Sequence, residues 1–258
     1  MKRNEIQEIN QYLLNKRIIS VNEFKEYFFN RYPEKQERFF NYYLSDLYRN
    51  NVLYRYDIGI LKTTDGKKDF IFSKAIEDDL MEKLECINPS IDICIWQLLD
   101  LTNFMSLQSF KNIKFIETYS YATEVILNLL INCNKKVVIE NDYFTYVKYN
   151  NYDELYIIRS INEDSPIVKH TILPIHQNYI TKSYVVPPKL EKIIVDIIID
   201  DFFNIILGDE IFGILCELLK KYKINIATIK RYATKKNRWA IVKSALVSTG
   251  FNIDKGEF

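Results

Sequence analysis

Residues 44–62 read LSDLYRNNVLYRYDIGILK, and their periodicity changes midway. Up to Arg49 the apolar residues keep helical spacing, with Phe40, Leu44 and Leu47 recurring at four and three residues. That spacing puts them on one side of a helix. Beyond Asn50 and Asn51 the alternation runs through Val52, Tyr54, Tyr56 and Ile58, the period of a strand. A TDGK turn at 64–67 then predicts a second hairpin strand in DFIFS, residues 69–73. A helix, a short turn and a strand leading into a small hairpin form the end of a winged helix-turn-helix.

The residues upstream complete this pattern. A first helix is predicted over Asn4–Leu14, with Ile6, Ile9, Leu13 and Leu14 as its apolar stripe. Ser20 with Glu23 three residues on predicts a capped second helix, whose inner side is Phe24, Phe28 and Phe29. Pro33 fits the start of the third. In such a domain the third helix enters the major groove and its N-terminal half reaches base edges. That half offers Lys35, Gln36, Arg38, Asn41 and Tyr42, with Ser45 and Arg49 further along. The wing offers Arg55, Lys62, Lys67 and Lys68 for phosphates. Glu34 and Glu37 suit the helix dipole but would repel phosphate.

The expected architecture is α+β in two domains: a winged helix-turn-helix over 1–78, then an α/β domain over 86–258 with a mixed sheet and a helical C-terminal tail. Residues 75–88 read as a helical connector ending at Pro89. IDICIW, IKFIET, KKVVIE, ELYIIRS and HTILPI read as strands, and SYATEVILNLLIN as a helix. Strand, helix, strand of that length predicts a right-handed crossover and parallel pairing. Pro188 fits the first turn of a long helix on which Ile193, Ile197, Ile198 and Phe202 share a face.

Charge is segregated along a chain whose net charge is only +1. Residues 1–74 carry net +4, residues 75–218 net −11 and residues 219–258 net +8. A basic head, an acidic middle and a basic tail imply surfaces with different partners. The first residues form an amphipathic pattern without the apolar core of a signal peptide, and no apolar run approaches a membrane span. Cys86, Cys94, Cys133 and Cys216 lack metal-ligand spacing, so free thiols in a reducing cytoplasm are expected.

No catalytic residue, metal site or cofactor is predicted. A restriction-type nuclease needs an acid followed by an acid-x-Lys pair on neighbouring strands, to hold Mg²⁺ and water. Acid-x-Lys occurs only at Glu23–Lys25 and Asp65–Lys67, both in the N-terminal segment. No glycine-rich phosphate loop is present, and GDE at Gly208 poorly replaces a nucleotidyltransferase turn. His170 and His176 have no partners at metal spacing. Asp196, Asp200 and Asp201 are expected on a solvated or partner-binding face.

The tail is the other basic feature. Ile226, Ile229 and Ala233 share one helical side and are expected in the core. Lys230, Arg231, Lys235, Lys236 and Arg238 are expected to project outward as a second basic surface. No acid occurs between Glu217 and Asp254, and nine basic residues over that span exceed what a helix dipole needs. Contact with the phosphate backbone of nucleic acid is the expectation.

Two stretches carry a family resemblance: PPKLEKIIVDIIIDDFFNIILGDEIFGILCELLKKYKIN and IKRYATKKNR. With Leu190, Glu191, Lys192 and Asp196, then Gly208, Asp209 and Glu210, then Tyr222, Ile224 and Asn225, then Arg231, Tyr232 and Ala233, they resemble the C-terminal half of AbiEi-family antitoxins of type IV abortive-infection systems. LYIIRSINEDSPIV resembles the strand and loop before that block, and the resemblance is close over residues 188–238. It implies a cytoplasmic protein that binds double-stranded DNA at inverted repeats in its own promoter. It further implies that the protein counters a nucleotidyltransferase-like toxin without requiring a stable complex. The alternatives are a magnesium-dependent nuclease using acids such as Asp92, Glu117 and Glu140, and a non-enzymatic interaction module in phage defence.

Overall fold

The computed structural model describes residues 3–64, 66–87, 91–105, 112–168 and 185–254. Among them the protein is α+β, with twelve α-helices, a three-stranded antiparallel sheet and a five-stranded mixed sheet. Its contacts form two compact units, Met1–Phe70 with Leu215–Phe258, and Ile71–Ile214. The C-terminal helices therefore group with the N-terminal segment, whereas the expected 86–258 domain joined them to the α/β core.

The first unit starts with α1 (Arg3–Lys16), β1 (Ile18–Ser20), α2 (Val21–Arg31), α3 (Glu37–Arg49), β2 (Leu53–Asp57) and β3 (Ile60–Thr63). On α1 only part of the expected stripe is inside: Ile9 and Leu13 are buried, while Ile6 and Leu14 are exposed. Ser20 caps α2, its hydroxyl accepting from the Glu23 N–H at 3.0 Å. Glu23 pairs with Lys16 at 3.0 Å, so the cap is one-sided. Phe24, Phe28, Phe40 and Tyr43 form an aromatic core, with Phe28 and Phe40 centroids 5.4 Å apart in an edge-on arrangement.

The hairpin departs from expectation. Its turn is Ile58–Gly59, with Gly59 at φ +67, and DFIFS forms no strand. The third strand is β1, giving the order β1-β3-β2. Arg55 faces Leu61 and Asp57 faces Ile60, so Tyr56 is an extra residue in β2. That bulge breaks the alternation: Leu53 and Tyr56 are buried, whereas Ile58 is 88% exposed.

The second unit holds α4 (Asp78–Glu85), β4 (Ile93–Gln97), α5 (Leu99–Thr102), β5 (Asn112–Thr118), α6 (Thr123–Asn132), β6 (Val137–Ile139), α7 (Tyr143–Tyr149), β7 (Glu154–Ser160), β8 (Val185–Val186), α8 (Leu190–Ile199) and α9 (Asp201–Leu207). The sheet order is β6-β7-β5-β4-β8. β5 and β6 both run parallel to β7, which lies between them, so the expected crossover is parallel but not between neighbours. β4 is antiparallel to β5. HTILPI, His170 and His176 lie outside the described residues.

From α10 (Glu210–Lys221) the chain passes into the first unit, which ends with α11 (Ile226–Lys235) and α12 (Trp239–Ser248). A backbone bridge fixes the return: the Lys68 N–H donates to Lys221 O at 3.0 Å and the Lys223 N–H to Lys68 O at 2.9 Å. The Tyr56 hydroxyl donates to Ile253 O, and the Phe70 and Tyr222 rings sit 4.9 Å apart. Ile226, Ile229 and Ala233 are buried, as their spacing requires.

Candidate nucleic-acid interface

Amphipathic spacing decides what α3 presents. Phe40, Tyr43 and Leu47 face the core. At about 100° per residue the opposite side carries Arg38, Asn41, Tyr42, Ser45 and Arg49, all exposed. These five predicted residues share one face of one helix. Gln36 is the exposed N-cap residue of α3, without a side-chain cap bond. Lys35 is less available, its ammonium lying 5.1 Å from the Phe39 centroid and 3.7 Å from Glu34. Glu37 is bound by Lys25, which neutralises one acid at the start of the helix.

The hairpin keeps only part of its expected basic set at the surface. Arg55 is exposed and lies over the Tyr48 ring at 5.7 Å. Lys62 is a correction: it is 3% exposed, on the strand between β1 and β2, with its ammonium 5.6 Å from the Tyr56 centroid. The shifted turn moves it from the wing into the sheet. Lys67 is also engaged inside the unit, donating to Leu219 O at 2.7 Å and lying 5.9 Å from the Phe251 centroid. Lys68 is exposed, with its backbone in the bridge to Tyr222.

On the C-terminal helices Lys230, Arg231, Lys235 and Arg238 are exposed, and Lys236 is half-buried over the Tyr232 ring at 5.0 Å. Packing places Arg231 and Arg55 in the wall of one cleft, with Leu44 and Tyr48 of α3. The two basic sets expected in separate domains thus belong to one compact unit.

A second cluster, in the α/β unit, was not predicted as a group. Glu117 of β5 and Arg159 of β7 are paired in register, and Glu140 directly follows β6. All three therefore sit at the carboxyl ends of parallel strands. Lys192 and Asp196 come from one side of α8, four residues apart. Lys192 Nζ lies 2.6 Å from Glu117 Oε2 and 2.7 Å from Asp196 Oδ2. Arg159 approaches Glu117 at 3.5 Å and Glu140 at 2.9 Å, and pairs with Asp200. Its guanidinium also sits 4.6 Å from the Phe203 ring centroid.

Burial sets the electrostatics here. Glu117, Lys192 and Asp196 are at most 2% exposed. The expectation of a solvated acidic face thus fails at Asp196, which is bound by a cation inside the core. Burial disfavours charge on Arg159, yet Glu117, Asp196, Glu140 and Asp200 together raise its pKa. Burial also raises the Glu140 carboxyl, with Arg159 opposing. Four carboxylates around two cations leave a formal excess of negative charge, and each acid contacts a cation. The sequence signal was present: charged residues set inside apolar runs, as in KFIET, YIIRS and LEKIIVDIII.

An exposed polar helix face, basic residues in the same unit and a separately buried ion cluster belong to an α+β protein. The chain belongs to a family of unknown function, DUF6577, whose profile matches residues 39–250. No curated protein matches it. No helix among the described residues is long and apolar enough to cross a membrane.

Proposed function

We propose that this protein is a winged-helix DNA-binding repressor of its own operon and an antitoxin acting against a nucleotidyltransferase-like toxin in phage defence, in the cytoplasm. The observation that carries the DNA-binding part is the face of α3. Arg38, Asn41, Tyr42, Ser45 and Arg49 stand exposed together, opposite the buried Phe40, Tyr43 and Leu47. A helix with donors of this kind fits the major groove, where Arg reads guanine and Asn reads adenine. The order α1-β1-α2-α3-β2-β3, with a tight β2–β3 hairpin, supports the winged-helix reading. Arg55 and the exposed α11 bases supply phosphate contacts beside it.

The antitoxin part rests on the resemblance of residues 188–238 to AbiEi-family proteins. The non-enzymatic part is supported by the buried cluster, where Arg159 and Lys192 occupy the carboxylate oxygens a magnesium ion would need. A reporter driven by the DNA upstream of the gene tests the repressor. Wild type should silence it, and Arg38→Ala with Asn41→Ala should release it. Co-expression with the product of an adjacent nucleotidyltransferase-like gene tests the antitoxin: growth should be restored by wild type. Failure in either assay rejects that half of the proposal.

A further inference from the structure

We propose that the cleft between α3, the β2–β3 hairpin and the start of α11 binds a nucleoside monophosphate. The cleft has a volume of about 580 Å³ and is lined wholly from within the first compact unit. That volume lies in the usual range of small-molecule sites, roughly 300–1,000 Å³. The DNA-binding reading does not require such a site, but the site uses Arg55 and Arg231, which that reading assigns to phosphate contacts.

The lining has two characters. Leu44 and Tyr48 of α3, Ile58 at the hairpin turn and Leu61 of β3 give an apolar wall. Arg55, Thr228 and Arg231 give a polar one. An apolar wall with a localised cationic end fits a ligand with a flat, weakly polar body and an anionic head. A nucleoside monophosphate has that form.

Each polar group is placed by local structure. Arg55 leans on the Tyr48 ring at 5.7 Å, which restrains a flexible side chain at the cleft wall. Arg231 follows from helical spacing: Ala227, Thr228 and Arg231 share the side of α11 opposite the buried Ile229 and Ala233. Asn225 caps this ten-residue helix, accepting from the Thr228 N–H at 3.0 Å, and lines the cleft itself. The positive end of the helix therefore opens onto the cleft. Asp57 is the one acid in the lining, and its carboxylate accepts from the Ile58 N–H at 2.7 Å, which holds it at the hairpin turn. Two guanidinium groups against one tied carboxylate leave the cleft cationic. Planar guanidinium forks match the oxygens of a phosphate.

Calorimetric titration of the full chain with adenosine monophosphate, adenosine and inorganic phosphate tests this. Wild type should bind the monophosphate at least tenfold more tightly than either fragment, because only the monophosphate uses both walls. Arg231→Ala and Arg55→Ala should each weaken it about tenfold or more, the usual loss for a charge-assisted hydrogen bond. Arg231→Lys keeps charge without the fork and should lie between. Ala227→Phe narrows the cleft and leaves both arginines, so it should weaken the monophosphate more than inorganic phosphate. Far-ultraviolet circular dichroism melts identify any variant that fails to fold. Absence of monophosphate binding at millimolar concentration, or unchanged binding in Arg231→Ala, overturns the proposal. If Arg231→Ala weakens only a DNA duplex, the cleft holds backbone phosphate and the small-ligand proposal fails. If the monophosphate binds and no duplex does, the DNA-binding reading fails and this one stands.

Discussion

Lys192 and Glu117 meet in the interior, Nζ to Oε2 at 2.6 Å, on side chains 2% and 1% exposed. Neither charge has water to fall back on. Truncating Lys192 leaves Asp196 buried without the cation it contacts and Glu117 with only the more distant Arg159, a break that typically costs about 3–5 kcal/mol. Lys192→Met should therefore lower the unfolding free energy of the α/β unit by about that much, measured by urea denaturation. Arg159→Met should cost a similar amount, because it strips the cation from Glu140 and Asp200 together and leaves Glu117 with Lys192 alone. A loss below about 1 kcal/mol in both would show that the cluster is solvated.

Glu140 should behave in the opposite sense. Its carboxyl pKa is raised by burial against the opposing pull of Arg159, so the fold holds its proton more tightly than the unfolded chain does. The stability that this group contributes is full below its unfolded pKa and is lost as pH rises through the folded value. Glu140→Gln removes the titration and keeps an acceptor for Arg159. Its melting temperature at neutral pH should equal or exceed that of wild type, and the fall in stability from mildly acidic to neutral pH should be smaller. A variant less stable than wild type at neutral pH, with an unchanged pH slope, would contradict this.

Thiol reactivity should separate by environment. The Cys94 thiol is buried and pushed well above its ordinary pKa by burial first and by Glu117 next. Cys86 is exposed. Native protein treated with an excess of Ellman's reagent at pH 8 should lose Cys86 quickly, while Cys94 reacts only after denaturation. Mass spectrometry of the labelled peptides reads the order directly.

The union of the two termini can be tested at Tyr56. Its hydroxyl donates to Ile253 O, and the side chain is buried in β2. Tyr56→Phe leaves that carbonyl unpaired and should cost about 1–2 kcal/mol in the first unit, read by denaturant unfolding. An unchanged stability would mean that the residues near Ile253 add nothing to the N-terminal helices.

Much of this fold was legible where a periodicity ran long. The Phe24/Phe28 and Phe40/Leu47 spacings identified α2 and α3, and Ser20 marked the start of α2. The apolar runs of β4, β5 and β7 identified buried strands. The hairpin was misplaced because TDGK is a stronger turn signal than Ile58–Gly59, and because the bulge at Tyr56 hides the strand period. β1 was too short, at three residues, to show a period. Grouping of α11 with the N-terminal segment depends on packing between residues far apart in sequence, such as Lys68 and Tyr222, which no local pattern encodes. For the interface, helical spacing was enough to place Arg38, Asn41, Tyr42, Ser45 and Arg49 together. It could not show that Lys62 lies in the central strand, or that Lys67 turns inward to Leu219.

DNA binding through α3 is the central claim, and a gel shift on the DNA upstream of the gene, with salt varied, tests it most directly. Wild type should bind specifically, with log affinity falling steeply against log salt. Arg38→Ala with Asn41→Ala should lose sequence preference, at about 1–3 kcal/mol for each base contact removed. Lys235→Ala with Lys236→Ala should weaken all duplexes alike and flatten the salt slope by about one to two. Absence of wild-type binding at low salt, or an α3 double variant that binds with wild-type specificity, would contradict the account.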